Sequence, residues 1–131
     1  MTVTYWLGVP AVRGKQYLTG KTQFDLVYDK GSSWIDKSLV LRAVPNGLEL
    51  SRYGFTISRR VGKAVVRNRV KRLLREILRQ ITLRPGWDMV FIARIPAGAA
   101  DYKELGKSVR GLLSRAGLFM GGYEDIRPGI N

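Results

Sequence analysis

Two periodicities organise the apolar positions of this chain. In KSLVLRAV, Lys37 to Val44, residues Leu39, Leu41 and Ala43 alternate with Val40, Arg42 and Val44, which predicts a strand. Pro45-Asn46-Gly47 then signals a turn, and RYGFTIS, Arg52 to Ser58, reads as the strand that returns. DMVFIAR, Asp88 to Arg94, is nearly all apolar, as expected of a strand buried on both faces. Elsewhere the period is that of a helix. Val66, Val70, Leu73, Leu74, Ile77, Leu78 and Ile81 gather on one side of a helix predicted from about Lys63 to Ile81, with Arg84-Pro85-Gly86 as its stop. Tyr102, Leu105, Val109, Leu112, Leu113 and Ala116 predict a last helix, opened by a capping box at Asp101 and Glu104.

A short first helix carrying Phe24, Leu26, Val27 and Tyr28 is expected between a Thr22–Asp25 capping pattern and Gly31. The order helix, strands, helix, strand, helix predicts an α+β two-layer sandwich. A single domain is expected over 1–131, with an ordered core over about 17–118, an N-terminal lead-in over 1–16 and a flexible tail over 119–131. The apolar stretch Tyr5 to Val12 is short, contains Gly8 and Pro10 and has no basic residue before it. Neither a signal peptide nor a membrane span is expected there, so a soluble, cytoplasmic protein is expected.

Charge changes the picture. Twenty-three Lys and Arg face ten Asp and Glu, a formal net charge of +13 in 131 residues. Self-repulsion on that scale opposes compaction unless a polyanion neutralises it, and nucleic acid is the leading candidate. The surplus is concentrated: from Arg59 to Arg79 there are nine Lys and Arg against Glu76 alone. On the predicted helix Arg67, Lys71, Arg75 and Arg79 are each four apart, forming a ridge with Asn68 and Arg72 beside it and Arg69 near the far edge of the polar arc. Three successive like-charge pairs weaken an isolated helix by about 1 kcal/mol, and a phosphate backbone reverses the sign of that effect. Arginine suits bidentate phosphate contact. Gly62 lets the chain turn from the strand ending at Ser58 into this helix, whose free N–H groups can take a phosphate beside Lys63.

The run FTISRRVGKAVVRNRVKRLLRE, Phe55 to Glu76, closely resembles the signature of the protein subunit of bacterial ribonuclease P. The matching residues are Ser58, Arg59, Arg60, Val61, Gly62, Arg67, Asn68, Arg69, Lys71 and Arg72. LTGKTQFDLVYDKG, Leu18 to Gly31, resembles the family's first helix with its two aromatics, and DMVFIARIPAGA resembles its last strand. The resemblance spans about residues 13 to 119. It implies a small protein that binds a large catalytic RNA, in a complex that removes the 5′ leader from precursor tRNA. It assigns Arg67, Asn68, Arg69, Lys71, Arg72 and Arg75 to the catalytic RNA, with Arg59, Arg60 and Lys63 at basic positions beside them. Phe24 and Tyr28 match the two aromatics of a cleft for the single-stranded leader, where bases stack on aromatic faces. Taken alone, an aromatic pair four apart on a short helix is equally a pair of core anchors. Arg42 stands where the family can carry a tyrosine, and is expected in the same cleft. The implied fold resembles the second domain of ribosomal protein S5, with a left-handed strand–helix–strand crossover, against a general preference of about 98% for right-handed ones.

Chemistry within the chain itself is sparse. It has no Cys and no His, so thiolate nucleophiles, histidine bases and the usual zinc ligands are excluded. The one adjacent acidic pair, Glu124-Asp125, lies in the expected tail, and Asp25 with Asp29 suits a helix cap and a solvated face. No catalytic residue is expected. Mg2+ is expected to be held mainly by the RNA, with one protein per RNA. Two other readings compete: a structural RNA-binding protein of the ribosomal kind, and a DNA-binding regulator with the basic helix in a major groove. Membrane binding is weakest, because the outward helix face offers nothing apolar to insert.

Overall fold

The structure, a computed structural model, describes residues 2–5, 15–18 and 20–122. The alternation at residues 39–44 becomes strand β4, Leu39–Pro45, with Leu39, Leu41 and Ala43 buried. The earlier elements are β1, Thr2–Tyr5; β2, Lys15–Tyr17; α1, Lys21–Lys30; and β3, Ser32–Ile35. After β4 come β5, Ser51–Ser58; a 3-10 turn, Arg59–Val61; α2, Ala64–Arg79; β6, Ile81–Leu83; and β7, Trp87–Ala93. A second 3-10 turn, Ile95–Ala99, leads to α3, Tyr102–Ala116, and β8, Phe119–Gly122.

The main sheet runs β1-β5-β7-β4-β3, with β2 also on β5. β5 therefore returns, but not beside β4. The apolar strand β7 lies between them, parallel to β5 and antiparallel to β4. Its residues Asp88 to Phe91 are all buried, and only a central strand is covered on both faces and both edges. β5 and β7 are adjacent parallel strands joined through α2, a strand–helix–strand crossover.

The fold is α+β, three helices on a mixed sheet, but the expected two layers are corrected to three. Phe55, Ile57, Met89 and Phe91 pack with Val70 and Leu74 of α2 and Leu105 and Val109 of α3. Val90, Val44 and Ile92 project from the other face and pack with Leu18, Phe24 and Val27. Strands β4 and β7 are apolar on alternate residues of both faces, so each face requires a cover.

Several boundaries move. α1 starts on Gly20 without a side-chain cap, and Asp25 binds Lys21 Nζ at 2.7 Å instead of capping the helix. The capping box on α3 is present: Asp101 Oδ1 accepts the Glu104 N–H at 2.8 Å and Glu104 Oε1 accepts that of Asp101 at 3.0 Å. α2 ends before Ile81, ahead of the Arg84-Pro85-Gly86 stop. Ile81 and Leu83 are buried in β6, which pairs with β8. Phe119–Gly122, expected in the tail, and Thr2–Tyr5, expected in the lead-in, are thus strands; residues 6–14 and 123–131, with the Glu124-Asp125 pair, lie outside the described residues. No helix among the described residues is long and apolar enough to cross a membrane.

Candidate RNA interface

The basic helix is amphipathic as its spacing requires. Val70, Leu74, Ile77 and Leu78 are buried against the sheet, while Asn68 and Arg72 are exposed and Lys71 and Arg75 are half-buried beside them. The helix has no acid in its first turn, and Lys63 occupies the N-cap without a side-chain bond to the free N–H groups. Arg59, Arg60 and Lys63 are exposed at this end, where β5 finishes. The approach is tight: a Cβ on Gly62 would lie 2.8 Å from the Val66 side chain. Glu76, the lone acid, lies 3.5 Å from Arg79.

Two of the assigned arginines are tied into the fold. Arg69 Nη1 and Nη2 donate to the carbonyls of Ala100 and Gly98 at 3.0 and 2.6 Å, joining α2 to the second 3-10 turn. That turn sits directly against the first, since a Cβ on Gly98 would come 2.5 Å from the Val61 carbonyl oxygen. Arg67 Nη1 donates to the Gly62 carbonyl at 2.9 Å, folding back over the start of its own helix. The outward cationic surface is therefore carried mainly by Arg59, Arg60, Lys63, Lys71, Arg72 and Arg75. A depression of about 320 Å3 lies beside it at the carboxyl ends of β5 and β7, lined by Ser58, Arg60, Arg94 and Pro96.

The expected cleft residues lie on the opposite face of the sheet and are placed differently from one another. Phe24 is 2% exposed, and its ring lies over Gly54, where a Cβ would come 2.4 Å from Cζ. It is a core anchor, which corrects its expected availability to a base. Arg42 donates to the carbonyls of Tyr28 and Gly31 at 2.6 and 2.9 Å and to Ser33 Oγ at 2.5 Å. The last carbonyls of a helix lack intrahelical partners and attract cations, so Arg42 closes the end of α1. Tyr28 remains half-exposed, with its phenol hydrogen-bonded to Thr56 Oγ1. Burial raises its pKa above the ordinary tyrosine value, partly opposed by the Thr56 bond and the Arg42 charge.

A family model described as Ribonuclease P matches residues 12–117. The chain belongs to the ribonuclease P protein family. A ribonuclease P protein component from Dehalococcoides mccartyi is 48% identical over 99 residues, 76% of this chain and 82% of the relative. One from Caldanaerobacter subterraneus is 43% identical over 102 residues, 76% of this chain and 88% of the relative. The solved ribonuclease P protein of Thermotoga maritima superposes with a TM-score of 0.70 at 30% identity, over 76% of this chain and 96% of the other. That of Staphylococcus aureus gives 0.71 at 27% identity, over 81% and 97%.

As a ribonuclease P family chain, it presents cations along α2 and at the end of β5. Among the described residues no group of three Asp or Glu gathers to hold a metal ion. Sequence reasoning missed Thr56, Arg94 and the Gly98 contact. It also missed Gly54, for which a signal existed, since glycine inside a strand marks a close approach.

Proposed function

We propose that the outward face of α2, with the basic residues ahead of it, binds the catalytic RNA of ribonuclease P. The chain is the protein subunit of that endoribonuclease, the ribonucleoprotein that processes the 5′ ends of precursor tRNA. The observation that carries the RNA-binding reading is the continuous cationic surface from Arg59 to Arg75, interrupted by no acid. Arg59, Arg60, Lys63, Asn68, Lys71, Arg72 and Arg75 meet RNA directly. Arg67 and Arg69 hold the shape of that surface and use their remaining donors toward it.

The leader runs along the α1 face of the sheet, where Tyr28 offers an aromatic surface, with Phe24 beneath and Arg42 holding the helix end. Mg2+ is held mainly by the RNA, and the protein screens RNA–RNA repulsion and grips the leader, lowering the Mg2+ requirement. One protein binds one RNA in the cytoplasm. The crossover through α2 is left-handed, in keeping with the likeness to the Thermotoga maritima protein.

The test is cleavage of a 5′-extended precursor tRNA by cognate ribonuclease P RNA at limiting Mg2+, with and without the protein. Stimulation is expected only with both components present, and Arg72→Glu is expected to abolish it at protein concentrations where the native chain saturates. Undiminished stimulation by that variant would remove the assignment of α2.

A further inference from the structure

Beside α3 lies a groove of about 710 Å3, lined by the β3–β4 turn at Lys37, by Lys107 and Arg115 of α3, and by Pro96. Pro96 also lines the Arg60–Arg94 depression, so the two hollows meet there. Both acids in the groove are engaged by backbone. Asp36 Oδ1 accepts the N–H groups of Ser38 and Leu39 at 2.9 Å, and Glu104 Oε1 that of Asp101 at 3.0 Å. Arg94 and Arg115 brace the turn, donating to the carbonyls of Asp36 and Ile35 at 2.6 and 2.9 Å. Lys37 and Lys107 are exposed and form no ion pair among the described residues. They leave two free cations facing a cavity.

The floor carries a second signal. Gly111 sits exposed in the middle of α3, and a Cβ built there meets nothing within 4 Å. Glycine is among the least favourable helix residues, and no contact among the described residues requires it here. Ser108, one turn earlier, is also small. A missing side chain with no internal reason leaves room for something outside to approach the helix backbone closely.

We propose that this groove holds a phosphodiester segment of the ribonuclease P catalytic RNA, with Lys37 and Lys107 on its phosphates and the sugar–phosphate chain against Gly111. The inference rests on the RNA-subunit reading above and adds a second contact to it. α3 covers the same face of the sheet as α2, whereas α1 and Tyr28 are on the other. RNA held by α2 therefore reaches the groove around Pro96 without crossing the sheet.

The test compares native protein with three variants by filter binding to the catalytic RNA across a salt series, and then by precursor tRNA cleavage in the holoenzyme. Lys37→Gln with Lys107→Gln is expected to weaken RNA binding and to lower the salt slope by about 2, one for each lost phosphate contact. Gly111→Gln fills the groove with a better helix former, so it is expected to leave the fold at least as stable while weakening RNA binding several-fold. Arg72→Glu reports separately on α2. Unchanged affinity and slope in both groove variants, with Arg72→Glu still impaired, would overturn the groove assignment alone. A raised KM for precursor tRNA with unchanged catalytic-RNA affinity would overturn it in favour of the substrate. Full binding by Arg72→Glu would overturn the reading of α2 and the groove with it.

Discussion

Arg69 and Arg72 lie three residues apart on the same helix and do different work. Arg69 satisfies two carbonyls of the second 3-10 turn, while Arg72 is exposed. Hydrogen bonds from a charged donor contribute about 1.5–3 kcal/mol each, and truncation strands both acceptors. Arg69→Ala should therefore lower stability by about 2 kcal/mol or more in urea denaturation. Arg72→Ala should stay within about 0.5 kcal/mol of native stability and still weaken RNA binding. Tyr53 makes a separate prediction. Burial, followed by its contact with Tyr17, holds its phenol far above the ordinary value of 10.0. The folded state thus keeps this phenol neutral where the unfolded state ionises. Its contribution to stability is complete below about pH 10 and falls as pH rises above it. Denaturation measured from pH 8 to 11 should show that decline, and Tyr53→Phe should make it shallower.

At the scale of elements, the two capping patterns diverge although both look sound in sequence. Asp101 and Glu104 exchange both bonds of the box, so Asp101→Ala should destabilise the protein by about 1 kcal/mol. Thr22 is exposed and caps nothing, and Thr22→Ala should leave the unfolding midpoint within error. The C-terminus of α3 closes with Gly117 at φ 76 and the Leu118 N–H on the Leu113 carbonyl at 2.8 Å, which directs the chain into β8. α2 stops early because the chain turns into β6, which pairs with β8 and buries Ile81 and Leu83.

For the whole molecule, charge and architecture separate two surfaces. The sheet puts α2 and α3 on one face and α1 on the other, and the basic turn that follows β5 packs, through Val61, on the α2 and α3 side. The interior is held by its own pair, with Arg52 donating twice to the fully buried Asp88 at 2.8 and 2.6 Å and Asn46 adding a third bond at 2.9 Å. Affinity for the catalytic RNA should fall log-linearly with salt, at about 0.7–0.9 per phosphate engaged. A flat salt response, read by filter binding, would contradict an electrostatic interface.

Much was legible before any coordinate. The amphipathic face of α2, the buried run of β7 and the Asp101 cap depend on residues within a turn or two of each other, so spacing alone determined them. Net charge of +13 and the ordered set from Ser58 to Arg72 likewise pointed to RNA. Tertiary structure decided the rest: β7 between β4 and β5, α1 on the far face, Phe24 over Gly54, Arg42 on the end of α1 and Arg69 on a turn about thirty residues away. Each of these is a choice of partner between segments distant in the chain. Local periodicity states that a side chain is to be buried or a charge satisfied, and only packing determines by what.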